Sequence, residues 1–505
     1  MSLNVLKSKR LVRTRVIGGV AATAAAAAIL LVLGLDSVRG EQAKATGNSV
    51  IFNLQPYLDR SGFVATYSEN GNISQKSAFF QSLGTNGRSC ATCHVVSQGF
   101  SVSVTGVRER YTSSRGRDPL FASVDGANCP GAGPRDEADH SLLLEHGLIR
   151  IGLAAPVVST QFSVQPEYDP YGCSTDTSTG QQILSFYRRP LPTTNLRFLS
   201  AVMFDGRESA ALPLNDPATF NANLEADLTT QALHAVQTHA QSAADPTAAQ
   251  LADIVRVELG LYTAQFWDFR AGLLSAFGAK GGPLALSRQT YAPGINDSLT
   301  PSRFDPTIFT LFEPWTNQRR AFSAEEAART EIAAGEQIFN SFPIHITDVR
   351  GLNDNPALGN PSTITGTCGT CHDAPGVGDH SLPLPLDIGT GHSPRYETNP
   401  QIRNALAQLN FPDLPVYRIS GCTDPFTGEG TIYTTDIGKA MLTGQCTDLN
   451  RIKGPILRGL AARAPYFHNG AATDLNQLVN FYNERFNMGL TNQQKAELVA
   501  FLNSL

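Results

Sequence analysis

The pentapeptide Cys-x-x-Cys-His occurs twice, as Cys90-Ala91-Thr92-Cys93-His94 and as Cys368-Gly369-Thr370-Cys371-His372, about 280 residues apart. Two thiols at this spacing can form thioethers to the vinyl groups of a porphyrin, and the histidine after the second thiol can bind the iron from below. A zinc site or a redox-active cysteine pair draws on the same residue types. Neither calls for a histidine directly after the second cysteine in both copies. The reading is therefore two covalently bound haem c groups. Cys90, Cys93, Cys368 and Cys371 are the thioether residues, and His94 and His372 are the iron ligands.

The surrounding elements must present these motifs. Ser77 to Leu83 reads as a helix end that delivers the first one. Helical periodicity runs through 218–278, including Ala226–Gln241 and Ala248–Phe277. Ala324–Phe339 reads as a helix entering the second half, with Ser323 and Glu326 as a capping box. Near the end, Thr473 or Asp474 can cap a helix whose apolar residues are Leu475, Leu478, Val479, Tyr482 and Phe486. At 100° per residue these fall within about 100° of one another, so Tyr482 is expected to point inward. Met488 falls nearly opposite, beside Gly489. Thr491 and Gln494 cap a terminal helix through Leu502. Strand-like alternation is scarce. The expected fold is mainly α: two c-type cytochrome domains with long loops and an ordered insertion.

The expected organisation is a leader at 1–42, a first haem domain at 43–278 with the insertion at 97–181, a linker at 279–314, and a second haem domain at 315–505. Lys7, Lys9, Arg10, Arg13 and Arg15 precede an apolar run from Val16 to Leu35, which suits either a cleaved export signal or an N-terminal membrane anchor. Both alternatives put the body of the protein in the periplasm. The four cysteines outside the haem motifs suggest the local disulfides Cys129–Cys173 and Cys422–Cys446. A net charge of −5, with no basic run after the leader, excludes nucleic acid as a partner.

Two further stretches carry a family resemblance. Arg458-Gly459-Leu460-Ala461-Ala462-Arg463-Ala464-Pro465-Tyr466-Phe467-His468-Asn469-Gly470 resembles the APYFHDG signature of the bacterial dihaem cytochrome c peroxidase and MauG superfamily. Arg189-Pro190-Leu191-Pro192, followed by Val202-Met203-Phe204-Asp205-Gly206-Arg207, is similar to that family's stretch ending in FWDGR. The resemblance covers about 75–94, 186–241 and 325–505. It implies that the His94 haem is peroxidatic, with an open iron position, and that the His372 haem relays electrons. It also implies Arg207 and Arg458 as propionate contacts.

Departures from the family pattern refine this. Fourteen residues after the histidine of the FHDG motif the ordinary peroxidases place a ligating methionine. Here that position is Tyr482, as in the MauG-like branch. A phenolate stabilises high-valent iron and lowers the potential, so the relay haem is expected to be His/Tyr-ligated and able to store an oxidising equivalent as Fe(IV). The histidine that closes the resting peroxidatic haem in many members is Arg110 here, so the iron is expected to be open. His140 and His146 follow in the insertion. The inter-haem tryptophan is Phe204, which cannot act as a hopping station at comparable potentials. The distal glutamate slot holds Gln241, which leaves His239, His234, Gln241 and Glu225 as distal-pocket candidates. An asparagine that serves the family's calcium site is Arg189, which argues against calcium.

Taken together, the resemblance implies a periplasmic dihaem peroxidase that reduces hydrogen peroxide to water. Electrons would come from a small redox protein, a cytochrome c or a cupredoxin. The alternatives are MauG-like oxidation of a protein or organic substrate, and a non-catalytic electron-transfer cytochrome.

Overall fold

The computed structural model describes residues 50–505 apart from 132, 134–135, 157–159, 174–181, 200, 211–216, 290–308, 317–322 and 373–384. The leader at 1–42 and much of the 279–314 linker lie outside the described residues. Helix Ala324–Ser341 starts where its cap was read: Ser323 Oγ accepts from the Glu326 N–H at 3.1 Å, and Glu326 Oε2 accepts from the Ser323 N–H at 3.0 Å. It crosses helix Asn492–Asn503 at Gly335. A Cβ at Gly335 would lie 2.0 Å from the Glu497 carbonyl oxygen, so a larger residue would push the two helices apart. Phe309, Phe312, Trp315, Phe339 and Phe501 fill the core around this crossing. Asp474 caps helix Leu475–Arg485, and Thr491 with Gln494 caps Asn492–Asn503.

The fold class departs from the expectation. The chain is mixed, with 36% helix and 17% strand in several small antiparallel sheets. The largest sheet has four strands in the order Pro56–Leu58, Gly62–Ser68, Leu261–Asp268, Gly272–Leu273. The helical reading of 248–277 holds only as far as Leu259. Beyond it, Leu261–Asp268 pairs along Gly62–Ser68, from Gly62 opposite Asp268 to Ser68 opposite Leu261. Leu261 to Gln265 are all buried, so the strand is covered on both faces and shows no polar–apolar alternation. Ile183–Arg188 is buried along almost its whole length for the same reason. Burial on both sides erases the period-two signal that would have revealed these strands.

The insertion is woven into the rest of the chain. Its strand Ser163–Tyr168 joins Val416–Ser420 and Thr431–Thr434 in a three-stranded sheet, and Ile149–Ala154 pairs with Ile183–Arg188. The disulfides Cys129–Cys173 and Cys422–Cys446 both form, as read from the sequence, with Cα atoms 5.6 and 5.5 Å apart. Such cross-links belong to oxidising, extracytoplasmic compartments. Among the described residues no helix is long and apolar enough to cross a membrane. Midway along the insertion, helix Ser141–His146 presses on the 468–470 loop. Gly470 (φ +65°) would carry a Cβ 2.5 Å from the His146 carbonyl oxygen, so glycine is required there.

One buried imidazole makes stability depend on pH. His392 Nε2 lies 2.9 Å from Asp387 Oδ2, and its Nδ1 bonds Glu397 Oε2. Carboxylates only accept, so both ring nitrogens carry protons. Although burial opposes the charge, Asp387 and Glu397 outweigh it and raise the imidazole from its ordinary 6.5 to about 10. Folding therefore favours the protonated form. The contribution is complete below about 6.5 and is lost as pH rises through about 10. Urea unfolding should show a loss on the order of a few kcal/mol across that window. His392→Gln should flatten the profile, and an unchanged slope would show that other groups set it.

Candidate functional site

The two Cys-x-x-Cys-His motifs fold alike, and the reason is local. The Ser89 N–H donates to Thr92 Oγ1 at 3.0 Å, and the Thr367 N–H to Thr370 Oγ1 at 2.9 Å. In each case a threonine between the cysteines caps a single helical turn, Cys90–Cys93 or Cys368–Thr370. The histidine N–H then closes onto the first cysteine's carbonyl at 3.0 Å in both copies. One turn puts positions i and i+3 on the same side. None of these four cysteines is in a disulfide, while the other four form two.

Each motif opens onto its own cavity. The first holds about 1380 Å³ of empty space, counting its mouth, and is lined by Cys90, Cys93 and His94 beneath leucine, valine and alanine side chains. His94 Nδ1 donates to the Phe100 carbonyl at 3.2 Å, which orients the ring with Nε2 as its lone-pair nitrogen. Burial pulls this imidazole down to about 4, so it is neutral, the form that binds a metal. The second cavity, about 1580 Å³, is lined by Cys368, Cys371 and His372. His372 is likewise drawn down to about 4 by burial, and its Nδ1 has no hydrogen-bond partner among the described residues. Two apolar cavities, each with a pair of cysteines outside any disulfide and a neutral imidazole on one wall, fit a covalently attached haem.

Of the four distal candidates, the structure brings only His239 to the first cavity. His239 follows helix Pro217–Thr238, and its Nδ1 bonds Asp125 Oδ2. His234 is half exposed and pairs with Glu208 at 2.9 Å. Gln241 sits past the helix end at φ +53°, exposed, where its side chain accepts from Asn86 Nδ2 at 3.2 Å. Glu225 is exposed on the same helix. One residue the sequence reading missed does line this cavity: Glu258, 3% exposed, with Oε2 unpartnered among the described residues and its pKa raised by burial to about 8. The signal for it was present. Leu251, Ile254, Val255 and Glu258 share an i, i+3, i+4, i+7 face.

Tyr482 lines the second cavity, as the helical wheel implied. Its ring is flanked by Phe467, Phe481 and Phe486, its hydroxyl has no hydrogen bond to a described residue, and burial raises its pKa. Met488 departs from the wheel. The helix ends at Arg485, the chain reverses through Asn487 (φ +47°), and Met488 lands in the same cavity instead of opposite it. His140 and His146 reach neither cavity. Their Nδ1 atoms bond the carbonyls of Gly126 (2.7 Å) and Gly470 (3.3 Å).

Part of the chain is similar to cytochrome c peroxidases. Over 147 residues it is 33% identical to the cytochrome-c peroxidase IdrP2 of Denitromonas iodatirespirans, covering 28% of this chain and 36% of that protein. Over 152 residues it is 26% identical to IdrP1 of Pseudomonas sp. (strain SCT), covering 27% and 36%. The chain thus matches about a third of the length of these relatives. No family model matches it. The likeness marks a peroxidase-related region.

A common wall separates the two cavities: Arg189, Pro190, Leu191, Pro192, Phe204 and Lys453 line both. Phe204 occupies the place read as the inter-haem position, and its ring stands 6.1 Å from that of His468, which lines the second cavity. Buried cations stand at the second cavity. Arg189 and Arg463 are buried, bond only backbone carbonyls, and have no carboxylate partner among the described residues. Burial lowers them to about 9 and about 10. Both reach the second cavity, where an anionic group would offset their charge. Arg207, the expected contact, lines the first cavity and pairs with Asp205 at 2.9 Å. Arg458 lines neither; it is buried within the electrostatic reach of Glu336.

Proposed function

We propose that this protein is a periplasmic dihaem c-type peroxidase that reduces hydrogen peroxide to water. Cys90, Cys93 and His94 would hold one haem c in a first haem domain. Cys368, Cys371, His372 and Tyr482 would hold the other in a second domain, with Arg189, Arg463 and Arg207 toward the propionates. Arg189 also sets a buried positive charge where the resemblance would place a calcium ligand, which disfavours calcium. When bound, haem supplies the redox-active iron. Each peroxide takes up two electrons and two protons and leaves as two waters. The electrons come singly from a small redox protein, a cytochrome c or cupredoxin.

The residues of the first cavity manage the protons. His239 can take a proton from one peroxide oxygen at Nε2 and return it to the other. The apolar walls exclude bulk water, and Phe204 in the shared wall leaves electron transfer between the cavities to direct tunnelling. The observation that carries the reading is the contrast between the cavities: an imidazole backed by a carboxylate in one, and in the other a phenol with no hydrogen bond to a described residue. Ferric spectra of the haem-loaded protein before and after peroxide test it, together with turnover using a reduced cytochrome or cupredoxin. A high-spin component that reacts with peroxide is expected. Two low-spin centres inert to peroxide would retire the proposal in favour of an electron-transfer cytochrome. Oxidation of a protein or organic substrate without donor turnover would favour the MauG-like alternative.

A further inference from the structure

We infer that the insertion is a working part of the first cavity: Asp125, held by Arg88, is the positioning residue that fixes the tautomer and aim of His239. This rests on the proton-carrying role proposed above for His239. Asp125 belongs to the insertion, is 4% exposed, and uses one carboxylate oxygen for Arg88 Nη1 and the other for His239 Nδ1. A carboxylate can only accept, so the Nδ1 hydrogen is pinned and Nε2 keeps its lone pair for the cavity. His239 has no other side-chain hydrogen bond among the described residues.

The support behind Asp125 is rigid. Arg88, two residues before Cys90, donates from Nε to the Pro119 carbonyl at 2.7 Å and from Nη2 to the Leu120 carbonyl at 2.8 Å. Its guanidinium is therefore locked to the same loop that carries Asp125. Gly126 makes room for it, since a Cβ there would lie 3.0 Å from Arg88 Nη2 and 2.1 Å from the Leu120 oxygen. On the other side, Asn86 Nδ2 donates to the His239 carbonyl at 2.8 Å, and Arg88 Nη1 reaches the same oxygen at 3.3 Å. Residues 86–88, the insertion loop and the end of helix Pro217–Thr238 thus converge on one imidazole beside the first haem motif. The proton balance is simple. Nε2 accepts one proton and later releases it, while the Nδ1 proton stays on Nδ1 throughout, bonded to Asp125.

A double-mutant cycle on the haem-loaded full chain tests this, with Asp125→Asn, His239→Gln and the pair. Two rates are measured across pH: reaction of the ferric protein with peroxide, and uptake of hydrogen cyanide, which must also give up a proton to bind. An asparagine amide can donate to Nδ1 and drive the hydrogen onto Nε2. Asp125→Asn should then slow both rates by about tenfold or more in the native background. It should add nothing once His239 is glutamine. Should Asp125→Asn fail to accumulate, Asp125→Glu keeps a charge for Arg88 and is expected to recover part of the rate while retaining the coupling. Equal effects of the Asp125 change in both backgrounds would mean that Asp125 only supports the fold, and would overturn the inference. A wild type unreactive to peroxide, but with a coupled cyanide cycle, would sink the peroxidase reading and leave this one standing.

Discussion

His239→Gln is expected to slow the reaction of the ferric protein with hydrogen peroxide by about 10²–10⁴-fold, the range that a positioned acid–base group contributes. The fall should appear in the peroxide reaction and leave the spectrum of the His372 centre unchanged, because His239 lines only the first cavity. His234→Ala, Gln241→Ala and Glu225→Ala should stay within about twofold of wild type, since their side chains lie outside that cavity. Rapid-mixing absorbance on all four variants makes the comparison. The competing carrier in the same space is Glu258, whose burial keeps its carboxyl protonated at neutral pH. A fast His239→Gln protein beside a slow Glu258→Gln protein would move the proton role from the imidazole to that carboxyl.

The second large effect concerns the centre proposed as the relay. Tyr482→Met should raise its midpoint potential by about a tenth of a volt or more, because a neutral thioether replaces an anionic oxygen that favours the oxidised iron. Tyr482→Phe should open the position and change the spin state. Met488 makes the matching control necessary, since the chain reversal at Asn487 brings its thioether into the same cavity. Met488→Leu is expected to leave the potential within about 20 mV, a small part of what axial-ligand changes produce. A potential that moves with Met488 and not with Tyr482, accompanied by loss of a thioether-to-iron absorption band, would assign the ligand to Met488.

How far these sites were legible from residues alone follows from the range of the interactions involved. The haem motifs, the capping boxes at Ser323 and Thr491, the cap at Asp474 and the inward face of Tyr482 all depend on neighbours within about one or two helical turns. Local chemistry determines them: the caps form where they were expected, both Cys-x-x-Cys-His segments fold as one capped turn, and Tyr482 faces a cavity. The strand Leu261–Asp268 read as helix because both of its faces are covered, leaving no alternation to detect. Met488 was misplaced because the wheel assumed a helix that ends three residues earlier. The distal candidates were ranked by spacing from a motif, and spacing says nothing about where an exposed helix face lies relative to a cavity.

By itself, then, the order of residues determined the two Cys-x-x-Cys-His turns, the phenol on the second site's helix and the disulfide partners. Only the tertiary structure decided that His239, and not His234, Gln241 or Glu225, reaches the first cavity, that Asp125 and Arg88 stand behind it, and that Phe204 lies in a wall common to both sites. The reason is physical. Caps and helical faces are set by bonds a few residues long, whereas His239 and Asp125 are 114 residues apart in the chain and meet only when the insertion loop packs against the end of a distant helix.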